Sequence, residues 1–337
     1  MNRSFELVAV APKDLPGDAA LAIPVSMARG VLNLGRRRPF PLDATSKGDW
    51  TMHIILGGTG HVGSAATVAL LRQGEPVTVV TRDKAKAAPL AAQGAEVAVA
   101  DVLDVEALRG VFRRGTRAFL LNPPADPSTD TDAEERRTVD AIIAALDSSG
   151  LEKVVAESAY GAHAGERAGD LTVLHGLEEK LHSQAIPASI IRAAYYMSNW
   201  DASLETARRE GIVNTLFPAD FELPMVAPRD LGEAAARLLT EPPEKNGLHH
   251  VEGSSRYTAR DVAAAFGGTL GKEVRVVSVL REHWAETFES MGFSPKAAQS
   301  YARMTEVTVD DTYDPPTRPE RGKVTLERYM AELAGAG

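Results

Sequence analysis

Met52-His53-Ile54-Ile55-Leu56-Gly57-Gly58-Thr59-Gly60-His61-Val62-Gly63 is the stretch on which the fold turns. A short apolar run ends in a glycine-rich turn. The turn then opens a helix, because Val62, Ala65, Ala66 and Ala69 recur at i, i+3, i+4 and i+7. Gly57 lets the chain leave the strand sharply. Gly60 removes the Cβ that would keep backbone N–H groups from a phosphate, and Gly63 permits close packing of helix on sheet. Pro76 introduces Val77-Thr78-Val79-Val80, a buried-strand pattern. Strand, turn, helix and strand fit one βαβ unit of about 30 residues. Its helix N-terminus offers orphan donors and a positive dipole end where a dinucleotide pyrophosphate binds. Gly57, Thr59, Gly60, His61, Val62 and Gly63 are therefore expected to form a phosphate cradle. An ordinary tight turn uses the same glycines, and the flanking helix and strand argue for the cradle.

The end of the second strand chooses between nucleotides, since an acid there serves the ribose hydroxyls of NAD and a basic group the 2′-phosphate of NADP. The chain reads Thr81-Arg82-Asp83. Arg82 offers a permanently charged fork and Thr81 a hydroxyl, so NADP(H) is preferred. Asp83 leaves NAD(H) open if it turns inward; its other use is to cap the next helix, with Arg82 a solvated surface residue.

Helices and strands alternate onward. Lys84 to Gln93 is predicted helical, Glu96 to Ala100 a strand, Val105 to Arg113 a helix, and Arg117 to Leu121 a strand. A long helix is marked by Val139, Ile142, Ile143 and Leu146, and a strand runs from Lys153 to Ala156. The pattern predicts an α/β fold with a doubly wound parallel sheet and ligands at the strands' carboxyl ends. Asp101, Val102, Asn122, Pro123, Glu157 and Ser158 fall on that rim. Asp101 suits the adenine amino group, and Asn122 and Pro123 the nicotinamide ribose, although each also serves as a turn former.

At 337 residues, with a quarter of them charged, the chain has material for two lobes. The expected division is a dinucleotide-binding domain at 52–200 and a smaller C-terminal substrate lobe at 201–337, whose strands can return to the main sheet. Residues 1–51 show no continuous period and read as an appended segment, or as a small element covering a sheet edge. A net charge of −9 argues against a nucleic-acid partner. No run approaches the roughly 18 apolar residues of a membrane span. The absence of cysteine excludes disulfides and thiol catalysis, and a cytoplasmic location follows as the expectation. The pattern carries no signal for an oligomeric state.

Residues 52–63 resemble the opening of the NmrA-like, atypical short-chain dehydrogenase/reductase family, with its Gly-x-x-Gly-x-x-Gly fingerprint. Further resemblances lie in Thr81-Arg82, in Ala100-Asp101, in Ile186 to Arg192 followed by Tyr195-Tyr196-Met197-Ser198-Asn199, and in Pro224 to Gly232. Together they extend over about residues 52–333. The resemblance implies a Rossmann-like fold, NADP(H) as cofactor and a small-molecule substrate, in a family of reductases and of nucleotide sensors that do not turn over.

Ordinary short-chain dehydrogenases place a Tyr four residues before a Lys. Here Tyr160 is followed at that spacing by Ala164. Relatives often carry a Lys or His four residues before a Glu on the helix expected at Leu174 to Ser183, which points to His175 ahead of Glu179. If Glu178 sets the register, the position is Leu174 and the polar group is lost. His175 and Tyr160 are thus the candidate catalytic residues, and no metal site is expected, since His175 and Glu179 lack a third ligand. Without a strong proton donor, reduction of a quinone or conjugated enone is favoured over that of an isolated ketone, because its oxyanion is delocalised. Tyr160, Tyr195, Tyr196, Met197 and Trp200 can wall a flat ring. A nucleotide-sensing protein is the alternative, and a sugar-nucleotide epimerase is weakened by the missing Tyr and Lys pair.

Overall fold

The computed structural model describes residues 51–310 and 316–335. The reading of 1–51 as an appended segment therefore lies, but for Thr51, outside the described residues.

The unit predicted from the glycine turn is present as β1 (His53–Leu56), α1 (His61–Gln73) and β2 (Val77–Thr81). It continues through β3 (Glu96–Val99), α3 (Val105–Phe112), β4 (Arg117–Leu120), α4 (Thr131–Leu146), β5 (Lys153–Ala159), α5 (Asp170–His182) and β6 (Ala188–Ala193). A one-turn helix, α2 (Ala88–Ala91), separates β2 from β3. The helix expected over Lys84 to Gln93 shrinks to this turn. Asp83 accepts from the Ala85 N–H at 2.9 Å to fix a bend instead, and Pro89 stands at the new helix start. In contrast β5 outruns its predicted end at Ala156. Pairing of residues 154–159 with 188–193 holds Glu157 and Ser158 in extended backbone despite their polarity.

The main sheet is parallel throughout, in the order β13-β10-β6-β5-β4-β1-β2-β3. Its order reverses at β1 and β4, which leaves a crevice at their carboxyl ends. Side-chain alternation sorts the core into two layers. Ile55 and Val155 face α1 and the later helix α7 (Pro228–Thr240); Ile54, Leu56, Val154 and Ala156 face α3, α4 and α5. Helix α7 lies closely on α1 because Gly232 has no side chain: a Cβ there would stand 2.5 Å from the Ala65 Cβ and the Ala66 N.

Two strands from beyond residue 200 enter the main sheet, β10 (Gly247–Glu252) beside β6 and the two-residue β13 (Glu320–Arg321) beside β10. The rest of this region, with a short strand just ahead of residue 200, forms a smaller body that borders the crevice. It comprises β7 (Tyr195–Tyr196), α6 (Ser203–Glu210), β8 (Ile212–Thr215), β9 (Leu223–Val226), β11 (Arg256–Tyr257), α8 (Ala259–Leu270), β12 (Arg275–Ser278), α9 (Trp284–Ser290), α10 (Pro295–Val309) and α11 (Leu326–Leu333). Two small sheets, β11-β9-β7 and β12-β8, share an apolar core with α8 and α11 through Phe266, Met225, Leu326 and Met330. Thr258 starts α8 with a capping box to Asp261, as the Arg256-Tyr257-Thr258 and Asp261 spacing suggests.

Candidate active site

A cleft of about 780 Å³ runs along the carboxyl ends of the strands. That is within the range of cofactor and substrate sites. At one end is the glycine turn. Gly57 has φ +69°, and its carbonyl accepts from the Gly60 N–H at 2.9 Å. Gly60 is extended (φ −83°, ψ 177°) and precedes α1, which has neither a side-chain cap nor an acid in its first turn. The helix pole is therefore left for an anion. A Cβ on Gly60 would contact only the Gly57 carbonyl, at 3.3 Å, and otherwise fill the space over the turn. Such a cradle fits a pyrophosphate.

Thr59, His61 and Val62 join the lining, but Gly63 does not. Its role is packing, since a Cβ there would lie 2.3 Å from the Gly57 carbonyl oxygen. Beside the turn, Thr59 and Thr81 hydroxyls approach to 3.5 Å, and Arg82 and Lys86, both exposed, line the same end. Lys86 was not singled out by the sequence, because the chain bends where a helix was expected. Asp83 also reaches the lining, yet one of its oxygens holds the bend at Ala85.

Asp101 and Val102 line the next section, and Asp101 accepts from the Leu103 N–H at 2.9 Å, the turn-forming use considered above. Pro123 and Asn122 follow, with the Asn122 amide directed at the Glu135 carbonyl at 3.4 Å. Ser158 lies on the wall, and its hydroxyl donates to Glu178 at 2.5 Å. Glu178 in turn holds Arg192 through two bonds of 2.9 and 2.6 Å.

The two catalytic candidates fare differently. Tyr160 lines the cleft, with its hydroxyl donating to the buried Glu252 at 3.3 Å. His175 does not line it; Leu174 does. The register is set by Glu178, which turns inward to Arg192 and Ser158 and brings the residue four positions earlier onto the wall. Of the two registers weighed for this helix, the cleft lining thus has the one with Leu174, and His175 stays off the wall. No group of three or more potential metal ligands occurs among the described residues.

At the far end Tyr195 meets Trp200 and Phe217 edge-on, with ring centroids 6.1 and 5.4 Å apart. Tyr195, Tyr196, Trp200, Phe217, Phe293 and Tyr301 line the cleft there; Met197 is buried behind them. Among these rings stand three acids, of which the sequence places only Glu157 on the rim. Tyr196 donates to Glu157 at 2.5 Å, and burial raises the Glu157 carboxyl to about 7 against the pull of that bond. Glu135 on α4 and Asp170 at the start of α5 lie side by side on the same wall. These acids come from separate elements and share no periodicity, so no sequence signal gathers them.

The sheet order and its glycine turn define a Rossmann-type α/β protein with a dinucleotide cleft. The chain belongs to the NmrA-like family, whose sequence profile matches residues 52–332. It is 23% identical over 261 residues to an NAD(P)H azoreductase of Xenophilus azovorans, covering 74% of this chain and 84% of that one. It is 26% identical over 254 residues to quinone oxidoreductase 2 of Escherichia coli K12, covering 74% and 86%. In structure it resembles an E. coli NADPH-dependent quinone oxidoreductase complexed with NADPH (TM-score 0.66, 23% identity, 84% and 100% covered). It also resembles a Citrobacter triphenylmethane reductase complexed with NADP(H) (TM-score 0.65, 18% identity, 83% and 99% covered). No helix among the described residues is long and apolar enough to cross a membrane.

Proposed function

We propose that this chain is a cytoplasmic NADPH-dependent oxidoreductase that delivers hydride to a flat conjugated small molecule, a quinone or an enone. One observation carries the reading: a single cleft joins an open glycine turn and two cations to an aromatic wall. Gly57 to Val62 and the pole of α1 would hold the pyrophosphate. Arg82 and Lys86 would take the 2′-phosphate, Asp101 and Val102 the adenine side, and Asn122 and Pro123 the nicotinamide ribose. When bound, the reduced nicotinamide supplies the hydride. The protein's own part is to orient an acceptor against the rings of Tyr195 and Trp200 and to keep water from it. The missing Tyr and Lys pair favours acceptors whose reduced form is a delocalised oxyanion. The azoreductase and quinone oxidoreductase relatives lend support.

The test is NADPH oxidation with a panel of quinones and enones, against a simple ketone as control. Turnover with the conjugated acceptors and none with the ketone is expected. Tight nucleotide binding without turnover of any acceptor would instead identify a sensor.

A further inference from the structure

Glu135 and Asp170 are brought together at the cleft wall by two helices, α4 and α5. Their carboxyls lie within hydrogen-bonding reach of each other, and such a contact between two carboxyls is favourable only when one of them carries a proton. Each has a second anchor. The Ala125 N–H donates to Glu135 Oε1 at 3.0 Å, and the Tyr301 hydroxyl of α10 donates to Asp170 Oδ1 at 3.2 Å. Glu135 is buried, and the surface that Asp170 retains faces the cleft.

The groups packed around the pair do not supply a counter-charge. Asp132 of α4 adds a like charge, and Tyr196 with Glu157 lies beyond Asp170. The cations of the region are engaged otherwise: Arg136 pairs with Asp132, and Arg167 with Asp130 and Asp132. Two adjacent buried carboxyls keep one proton well above the usual carboxylate range. Burial first, and the Asp170 charge second, push Glu135 up to about 9; burial also raises Asp170. One turn further along α5, Leu174 occupies the wall position at which a polar residue was expected.

We infer that the Glu135–Asp170 pair is the proton donor of this site, holding one shared proton at the cleft and giving it to the acceptor as hydride arrives. The inference rests on the reductase reading above. The acceptor takes a hydrogen with two electrons as hydride from NADPH, which leaves as NADP⁺, and takes one proton from the pair. The pair is left dianionic and regains its proton from solvent. In this way the site gains a weak proton donor, suited to a delocalised oxyanion, without a Tyr and Lys pair.

Glu135→Gln and Asp170→Asn test the assignment conservatively. A Gln at 135 keeps the acceptor for Ala125 and donates its amide to Asp170; an Asn at 170 keeps the acceptor for Tyr301 and donates to Glu135. Two readouts are taken. Infrared spectroscopy of the nucleotide-free protein at pH 8, where Glu157 is largely ionised, should detect a protonated carboxyl in the wild type that is lost in each variant. With NADPH and a quinone, each variant should lose tenfold or more in kcat, with NADPH affinity and quinone KM within about twofold. The wild-type decline in kcat near pH 9 should disappear in the variants. Absence of the carboxyl signal in the wild type, or variants that keep wild-type kcat and its alkaline decline, would overturn the proton-donor role while leaving the reductase reading in place. A wild-type protein that has the carboxyl signal but reduces no acceptor would overturn both.

Discussion

Gly60 and Gly63 lie three residues apart and are glycines for different reasons. At Gly60 the backbone is one any residue adopts, and what matters is the space above it. Gly60→Val should keep the fold by circular dichroism yet lose binding of NADPH and NADH alike, because its side chain stands where a pyrophosphate would approach. At Gly63 a single methyl collides with the backbone of Gly57. Gly63→Ala should therefore lower stability itself, by about 1–3 kcal/mol in denaturant titration. Equal stability of the two variants would show that the turn is more pliable than its geometry implies. Arg82 is exposed at the same end of the cleft. Arg82→Ala should weaken NADPH more than NADH, by a charge-assisted contact worth about 1.5–3 kcal/mol. Isothermal titration of both nucleotides decides it, and equal losses would remove Arg82 from the phosphate site.

At the scale of elements, the tight packing of α7 on α1 is made by what α7 lacks. Gly232→Ala would drive a methyl into the Ala65 and Ala66 segment of α1. The melting temperature should fall, and NADPH affinity with it, because α1 carries the glycine turn on its N-terminus; a fall in stability alone would mean that α7 shifts and α1 stays. Elements that follow local rules were legible in the sequence. The turn from Gly57 to Gly63, the apolar stripes of α1 and α4, and the alternation of strand and helix each leave a periodic trace over neighbouring residues. What was hidden depends on partners distant in the chain. Glu157 and Ser158 extend β5 because β6 pairs with them, and α5 rotates Leu174 rather than His175 into the cleft because Glu178 is claimed by Arg192. Glu135 sits in a run of acids and arginines that reads as a solvated helix face, yet it is the buried member of that run at the cleft wall.

For the whole molecule, acids buried at the cleft make stability depend on pH. The Glu157 carboxyl is raised from 4.5 to about 7 by burial. Its favourable contribution is complete below pH 4.5 and is lost as pH rises through 7, a change of about 3 kcal/mol by linkage. Glu157→Gln cannot ionise, so between pH 5 and pH 8 it should lose less melting temperature than the wild type. Parallel pH curves for the two proteins would mean that Glu157 is ionised without penalty.

The main sheet has a further consequence, for the order in which the chain comes into being. Its edge beyond β6 is completed by β10, about 60 residues later, and that of β10 by β13, about 70 residues later again. A ribosome emits the amino-terminal strands first. Until residue 252 has emerged, β6 presents a bare row of amides and carbonyls, open to any other extended chain. The parallel register of this sheet, which cannot be closed by a short hairpin, thus makes translation itself the interval in which this protein is most exposed to aggregation.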